Sequence, residues 1–469
     1  MRKRVLFINP PIHDFSAYDL WMKPLGLLYA ASLLKSHGYE VGLVDAMDRF
    51  HPAVRARASG TSPRKREFGC SGFFAEEIPK PSVFAGILRR FKRFGLPPAV
   101  MLEEIRRRPR PDLIAVTSMM TYWYPGVFEA IALAKQAFPG VPVVLGGVYA
   151  TLCADHARAC SGADVVVTGP AEESFPETVC KLGGGVRGEA AQRSWANLRP
   201  AYHLMPNIES VSILTSRGCP FRCSYCASRL LSSGLVQRDP VEVAEEIESY
   251  VRRGIRDVAF YDDALLVNAK GHLLETLRLL DRRNVHVRFH TPNGLHIRWI
   301  TQEVALALRA ADFCTLRLSF ETASEARQRD SDRKVANQDL QMAIENLLAA
   351  GFSLKQMEVY IMFGLPGQGV REVADTMAFV HQCGGRIKLV QFSPIPGTPE
   401  FERSAEDRPA LRTEPLLHNK TAFHQLGGPF HLEAYEGLKQ TIDLLNASCN
   451  AGRTLGAQEL VAVLKPFRN

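Results

Sequence analysis

Residues 4–8, Arg-Val-Leu-Phe-Ile, run apolar without alternation and stop at Asn9-Pro10-Pro11, the pattern of a short strand covered on both faces of a parallel sheet. Leu25, Leu28, Tyr29, Ser32 and Leu33 then share one side of a helical wheel that Gly38 ends. The alternation repeats, predicting strands over 40–44, 113–118, 141–145 and 164–168 and helices over 127–138 and 172–182. Strands alternating with helices through short turns predict the α/β class, with an open, doubly wound, Rossmann-like sheet whose ligand lies at the carboxyl ends of its strands. Those ends carry Asn9, Pro10, Pro11, Thr117, Ser118, Gly146, Gly147, Tyr149, Gly169 and Glu172. Glycines and small residues there let the backbone approach a bulky ligand.

An Arg- and Pro-rich insertion over 49–110 interrupts this pattern. Within it, Val83, Phe84, Ile87, Leu88 and Phe91 have helical spacing and predict a packed helix over 83–94 covering the sheet ends. Residues 183–207 read as a Gly- and Pro-containing linker. A second alternation comes next, with strands expected at 211–216, 257–261, 286–290, 315–320, 358–362 and 388–392 and helices such as 241–252 and 338–350. From 398 the pattern turns helical, with amphipathic stretches at 435–447 and 456–464. The expected domains are therefore 1–182, a linker 183–207, 208–397, and a small helical C-terminal region 398–469.

A chain of 469 residues exceeds one ordinary core and predicts two or three domains, and 46% hydrophobic with 23% charged residues is a globular balance. The net charge of +8 is concentrated near 55–66 and 89–110 rather than along a repeated face, so nucleic acid is not an expected partner. The apolar start ends after four residues, too few for a secretory segment, and nothing approaches the roughly 18 apolar residues of a membrane span. Cysteines scattered along such a chain predict a reducing, cytoplasmic setting, with Cys70, Cys153, Cys160, Cys180, Cys314, Cys383 and Cys449 as free thiols.

The remaining three thiols, Cys219, Cys223 and Cys226, stand in a C-x-x-x-C-x-x-C spacing just behind the strand expected at 211–216. Three thiols on one short loop suit a metal centre, and three is one short of four, which keeps a coordination position open for a substrate. A zinc knuckle, or three unrelated thiols, is the alternative reading of the spacing alone.

With Tyr225 just before the last cysteine, the motif resembles that of the radical S-adenosylmethionine (SAM) enzymes. The resemblance implies a partial (β/α)6 barrel over 208–397 and a 4Fe-4S cluster on Cys219, Cys223 and Cys226. Its open iron is chelated by SAM, and reductive cleavage of SAM gives a 5'-deoxyadenosyl radical. It also implies an external electron donor such as flavodoxin or ferredoxin. By the same likeness, the strand ends imply SAM contacts from Tyr225, Asp262, Asp263, Asn293, Ser319, Glu321, Arg333, Lys334 and Gln391, with Asp262 and Asp263 meeting the SAM ammonium. Residues 4–181 resemble the cobalamin-binding domain that precedes this barrel in one large subgroup. The Asp-x-His-x-x-Gly motif that gives cobalt a histidine is absent, because Asp155-His156 lacks the intervening residue. The implied activity is methylation of an unactivated carbon through methylcobalamin, on a small-molecule, lipid or peptide substrate. A cobalamin-dependent cyclase or rearrangement enzyme, and a cobalamin- or redox-sensing binding protein, are the alternatives.

Overall fold

The computed structural model describes residues 2–57, 67–183, 195–205, 207–331, 334–427 and 432–467. It divides into two compact units, one made of Met1–Ser212 with Leu230–Ser232 and Pro409–His418, the other of the remaining chain.

The first unit is built on five strands, β1 (Arg4–Asn9), β2 (Glu40–Asp45), β3 (Leu113–Val116), β4 (Val143–Leu145) and β5 (Val165–Val166). Their order is β5-β4-β3-β1-β2 and every pairing is parallel. The order reverses between β1 and β3, the switch point at which such sheets open a crevice at their carboxyl ends. Val5–Ile8 are buried on both faces because β1 is central and helices flank it, among them α1 (Leu25–Ser36), α2 (Tyr124–Ala137) and α3 (Ala171–Gly183). One face packs Ile8, Ile114 and Leu145 against Val127 and Ile131 of α2.

The insertion differs from its sequence pattern. Residues 83–94 form a single 3-10 turn, Ser82–Phe84, and then a strand, Lys92–Phe94, antiparallel to both Ile12–Asp14 and Ala75–Glu77. Phe84 and Phe91 bury themselves around Phe15, with ring centroids 5.0 and 5.3 Å away, while Leu88 is 91% exposed. Without Leu88 the apolar stripe is too short to hold a helix, and the aromatic trio decides the geometry. The arginine-bearing stretch 58–66 lies outside the described residues.

The expected linker is packed where it is described. Trp195 lies 5.9 Å from the Tyr29 ring of α1, and the Tyr202 hydroxyl donates to the Ser212 carbonyl at 2.7 Å. The expected helical C-terminal region is split, because Pro409–His418 belongs to the first unit. Glu414 accepts from the Tyr124 hydroxyl at 3.1 Å, and His418 Nδ1 bonds Thr121 Oγ1 at 3.0 Å.

A second sheet runs in sequence order: β6 (Ser210–Ile213), at whose last residue the second unit begins, then β7 (Asp257–Phe260), β8 (Arg288–His290), β9 (Phe313–Glu321), β10 (Met357–Phe363) and β11 (Arg386–Gln391), with a short strand Leu295–His296 beside β9. Pairings from β7 to β11 are parallel, and helices including Pro240–Arg252, Leu273–Arg282, Gln302–Ala310, Asn337–Ala349 and Val370–Gln382 connect them. Sequential parallel order with intervening helices is a partial barrel. Phe260, Phe289 and Phe313 stack within it at 5.1–5.7 Å, each ring worth roughly 1.5–3 kcal/mol on burial. The edge of β11 is closed by a side chain. Asn446, on helix Leu432–Asn450, accepts from Ile387 N–H at 2.7 Å and donates to its carbonyl at 2.9 Å.

Candidate active site

The cysteine loop leaves β6 and is fixed at three places. At its base, the buried Asp262 carboxylate accepts from the Thr215 amide and hydroxyl at 3.0 and 2.7 Å and from the Ser216 amide and hydroxyl at 2.5 and 2.6 Å. Burial nevertheless pushes its carboxyl up to about 6. In the middle, Ser224 donates its hydroxyl to Glu400 Oε1 at 2.9 Å and receives the Glu400 amide on its carbonyl at 3.1 Å. Alongside, Phe221 stacks on His296 at 4.9 Å and tilts against Trp299 at 5.4 Å.

Held this way, Cys219, Cys223 and Cys226 line one cavity of about 540 Å³ together with Tyr225, Asp263, Asn293, Ser319, Glu321, Lys334 and Gln391. Burial pushes the Cys219 thiol up and the Cys223 thiol to about 11, so binding a metal there releases protons. A cubane would take each of the three thiolates on a different iron, whereas a zinc knuckle would need all its ligands on one ion.

Glu321 reaches the cavity through an irregular strand end. The register of β9 against β10 shifts between Ser319 and Glu321, and Glu321 takes φ +73°, a left-handed conformation costly for a side-chain-bearing residue. Such a bulge re-aims the carboxylate, which lies 4.0 Å from Lys334 Nζ. Burial raises the Glu321 carboxyl and Lys334 opposes the rise. Asn293 spends its Nδ2 on the carbonyls of Tyr261 and Asp262, at 2.8 and 3.3 Å. Gly294 leaves room for Ser319, whose Oγ would stand 1.9 Å from a Cβ there.

Of the acidic pair after β7, only Asp263 lines the cavity, where its Oδ2 accepts from Gly218 N–H at 3.1 Å. Asp262 does not: its carboxylate is committed to the loop base, so the expected meeting with an ammonium group is replaced by a positioning task. Arg333 lies outside the described residues. The sequence reading missed His296, Lys388, Lys420 and Tyr435, which also line the cavity. Register with Ser319 across β9 and β10 marks Lys388, but only once strand pairing is known.

In the first unit, Asn9, Pro10 and Pro11 line a small cavity at the switch point with Met22, Met47, Met119 and Trp123. Gly146 and Gly169 face open space, since a Cβ at Gly146 meets only a carbonyl at 3.9 Å and one at Gly169 meets nothing within 4 Å. This open, glycine-edged end fits a large planar cofactor approached by backbone. Several expected contacts turn inward instead. A Cβ on Gly147 would lie 2.3 Å from the Ser118 carbonyl oxygen, so this glycine serves loop packing. Ser118 bonds the Gly146 carbonyl at 2.7 Å and the Ala150 amide at 3.2 Å, and the buried Tyr149 bonds His156 at 2.6 Å. Asn9 donates to Asp45 at 2.7 Å. Thr117 and Glu172 remain half-buried near the strand ends.

The Radical SAM superfamily pattern matches residues 213–380, and the B12 binding domain pattern matches residues 95–179. The chain joins a B12-binding domain to a radical SAM domain. It is thus a cobalamin-dependent radical SAM enzyme, with SAM, a 4Fe-4S cluster and cobalamin as its cofactors. An uncharacterized methyltransferase of Pyrococcus horikoshii is 26% identical over 420 residues, 81% of this chain and 78% of its own. The anaerobic magnesium-protoporphyrin IX monomethyl ester cyclase of Rubrivivax gelatinosus is 27% identical over 277 residues, 55% of this chain and 44% of the cyclase, so less than half of that enzyme is spanned. The structure of the radical SAM methyltransferase TsrM from Kitasatospora setae has the same fold, with a TM-score of 0.61 and 17% identity over 86% of this radical SAM chain and 76% of TsrM. Among the described residues of this radical SAM enzyme, no helix is long and apolar enough to cross a membrane.

Proposed function

We propose that this enzyme methylates an unactivated carbon of its substrate. The observation that carries this reading is the breadth of the likeness to the Pyrococcus methyltransferase, which extends over 81% of the chain where the cyclase likeness extends over 55%. When bound, the cluster and SAM supply a radical that removes a hydrogen atom, and cobalamin supplies the methyl group. Cys219, Cys223 and Cys226 hold the cluster, and Asp262 and Glu400 keep their loop in shape. Glu321 and Asp263 accept from the SAM ammonium or ribose, with Lys334 toward its carboxylate and Tyr225, Asn293, Ser319 and Gln391 walling the site. Arg333 keeps its proposed part beside Lys334. Asn9, Pro10, Pro11, Gly146 and Gly169 offer cobalamin a backbone-lined seat, with no histidine on cobalt. Flavodoxin or ferredoxin serves as the external donor, in the reducing compartment that exposed cluster thiolates require.

Cyclisation without methyl transfer is the second reading, favoured by the 277-residue likeness to the Rubrivivax cyclase. Anaerobic reconstitution with cobalamin and methyl-labelled SAM, and then mass spectrometry, separates the two. Label in the product is the expected result; a product without label, formed alongside deoxyadenosine, would favour the cyclase.

A further inference from the structure

The register of β9, β10 and β11 sorts their side chains into rows across the sheet. Arg317, Glu358 and Arg386 are in one row, and Ser319, Tyr360 and Lys388 are in the next row on the same face, one step nearer the carboxyl ends. In the lower row Glu358 meets Arg317 at 2.9 Å and Arg386 at 3.5 Å, one with each oxygen. A single carboxylate between two guanidiniums leaves that row with an excess positive charge and no acceptor for the row above.

Lys388 lines the cavity that holds the three cysteines, and among the described residues it has no hydrogen bond or ion pair. The carboxylates on the cavity wall are committed elsewhere, Glu321 near Lys334 and Asp263 to the Gly218 amide. Lys420 also lines the wall. Lys388 is exposed within this concave site, so its ammonium can meet an incoming anion without giving up an existing bond.

We propose that Lys388 docks an anionic group of the substrate, a carboxylate or a phosphate. This rests on reading the cavity as the radical SAM active site and adds the class of substrate it takes. Tyr360, Met362, Leu389 and Tyr435 beside it give the rest of that substrate an apolar or aromatic wall.

The test uses the full chain, reconstituted with cluster, cobalamin and SAM, and titrates phenyl phosphate and phenylacetate by ligand-detected NMR. At least one of the two binds the native protein, weakens roughly tenfold or more in Lys388→Met, and recovers in Lys388→Arg, while iron content and SAM affinity stay unchanged. Which probe responds tells phosphate from carboxylate. Equal binding to native protein and Lys388→Met, no binding of either probe to native protein, or a loss of SAM affinity in Lys388→Met overturns the proposal. Native protein that holds neither cluster nor SAM would remove the active-site reading itself, a failure visible before any probe is added.

Discussion

Replacing Cys219, Cys223 or Cys226 by alanine should each abolish iron loading and deoxyadenosine formation, whereas Cys153→Ala and Cys383→Ala leave iron content unchanged. Iron analysis after anaerobic reconstitution checks this, and full loading in any loop variant would refute it. Glu321→Gln should keep the cluster and weaken SAM by roughly ten- to hundredfold, the size of a lost charge-assisted hydrogen bond of about 1.5–3 kcal/mol. Calorimetric titration of SAM reads that loss directly. The cysteine motif was legible because three thiols at short fixed intervals stand out in a sequence, and the fold brings all three to one cavity. Asp262 and Asp263 were not separable in the same way. Adjacent acids look alike in a sequence, and only the four donors at Thr215 and Ser216 decide that the first turns into the loop base. Lys388 was invisible for the opposite reason, since nothing in a lone, exposed lysine tells from the sequence that it stands on a cavity wall rather than on the outer surface.

At the level of elements, the two βα alternations were plain from apolar runs punctuated by glycine and proline, and the strand cores lie where those runs predict. No helix forms over 83–94 because Phe15 draws Phe84 and Phe91 together, a long-range contact that helical spacing does not encode. The glycines after β4 make a sharper test of what an element end is for. Gly147 has φ +98° and no room for a Cβ, so Gly147→Leu should cost more than about 2 kcal/mol of stability whether or not cobalamin is present. Gly146→Leu meets open space and should leave the apoprotein's melting temperature nearly unchanged while blocking cobalamin binding. Thermal unfolding with and without cobalamin tells them apart; an unaltered cobalamin affinity in Gly146→Leu would remove that strand end from the seat.

For the molecule as a whole, the first unit should bind cobalamin without a protein nitrogen on cobalt. His13 is held by Glu129 at 3.0 Å and His156 by Tyr149, and no histidine lines the switch-point cavity among the described residues. Electron paramagnetic resonance of the cob(II)alamin form should therefore show the same nitrogen superhyperfine pattern whether or not the protein's histidines carry nitrogen-15, and a pattern that changes with the label would refute the claim. Which unit a distant segment joins was beyond the reach of pattern. Pro409–His418 is two short 3-10 turns, unremarkable in sequence, and it joins the first unit, where Glu414 and His418 bond Tyr124 and Thr121. The amide of Asn446 on the edge of β11 has a different kind of consequence. One side chain standing in for a missing strand lets the six-stranded sheet end without a seventh, so at Ile387 the last edge offers no unpaired backbone for another strand to join.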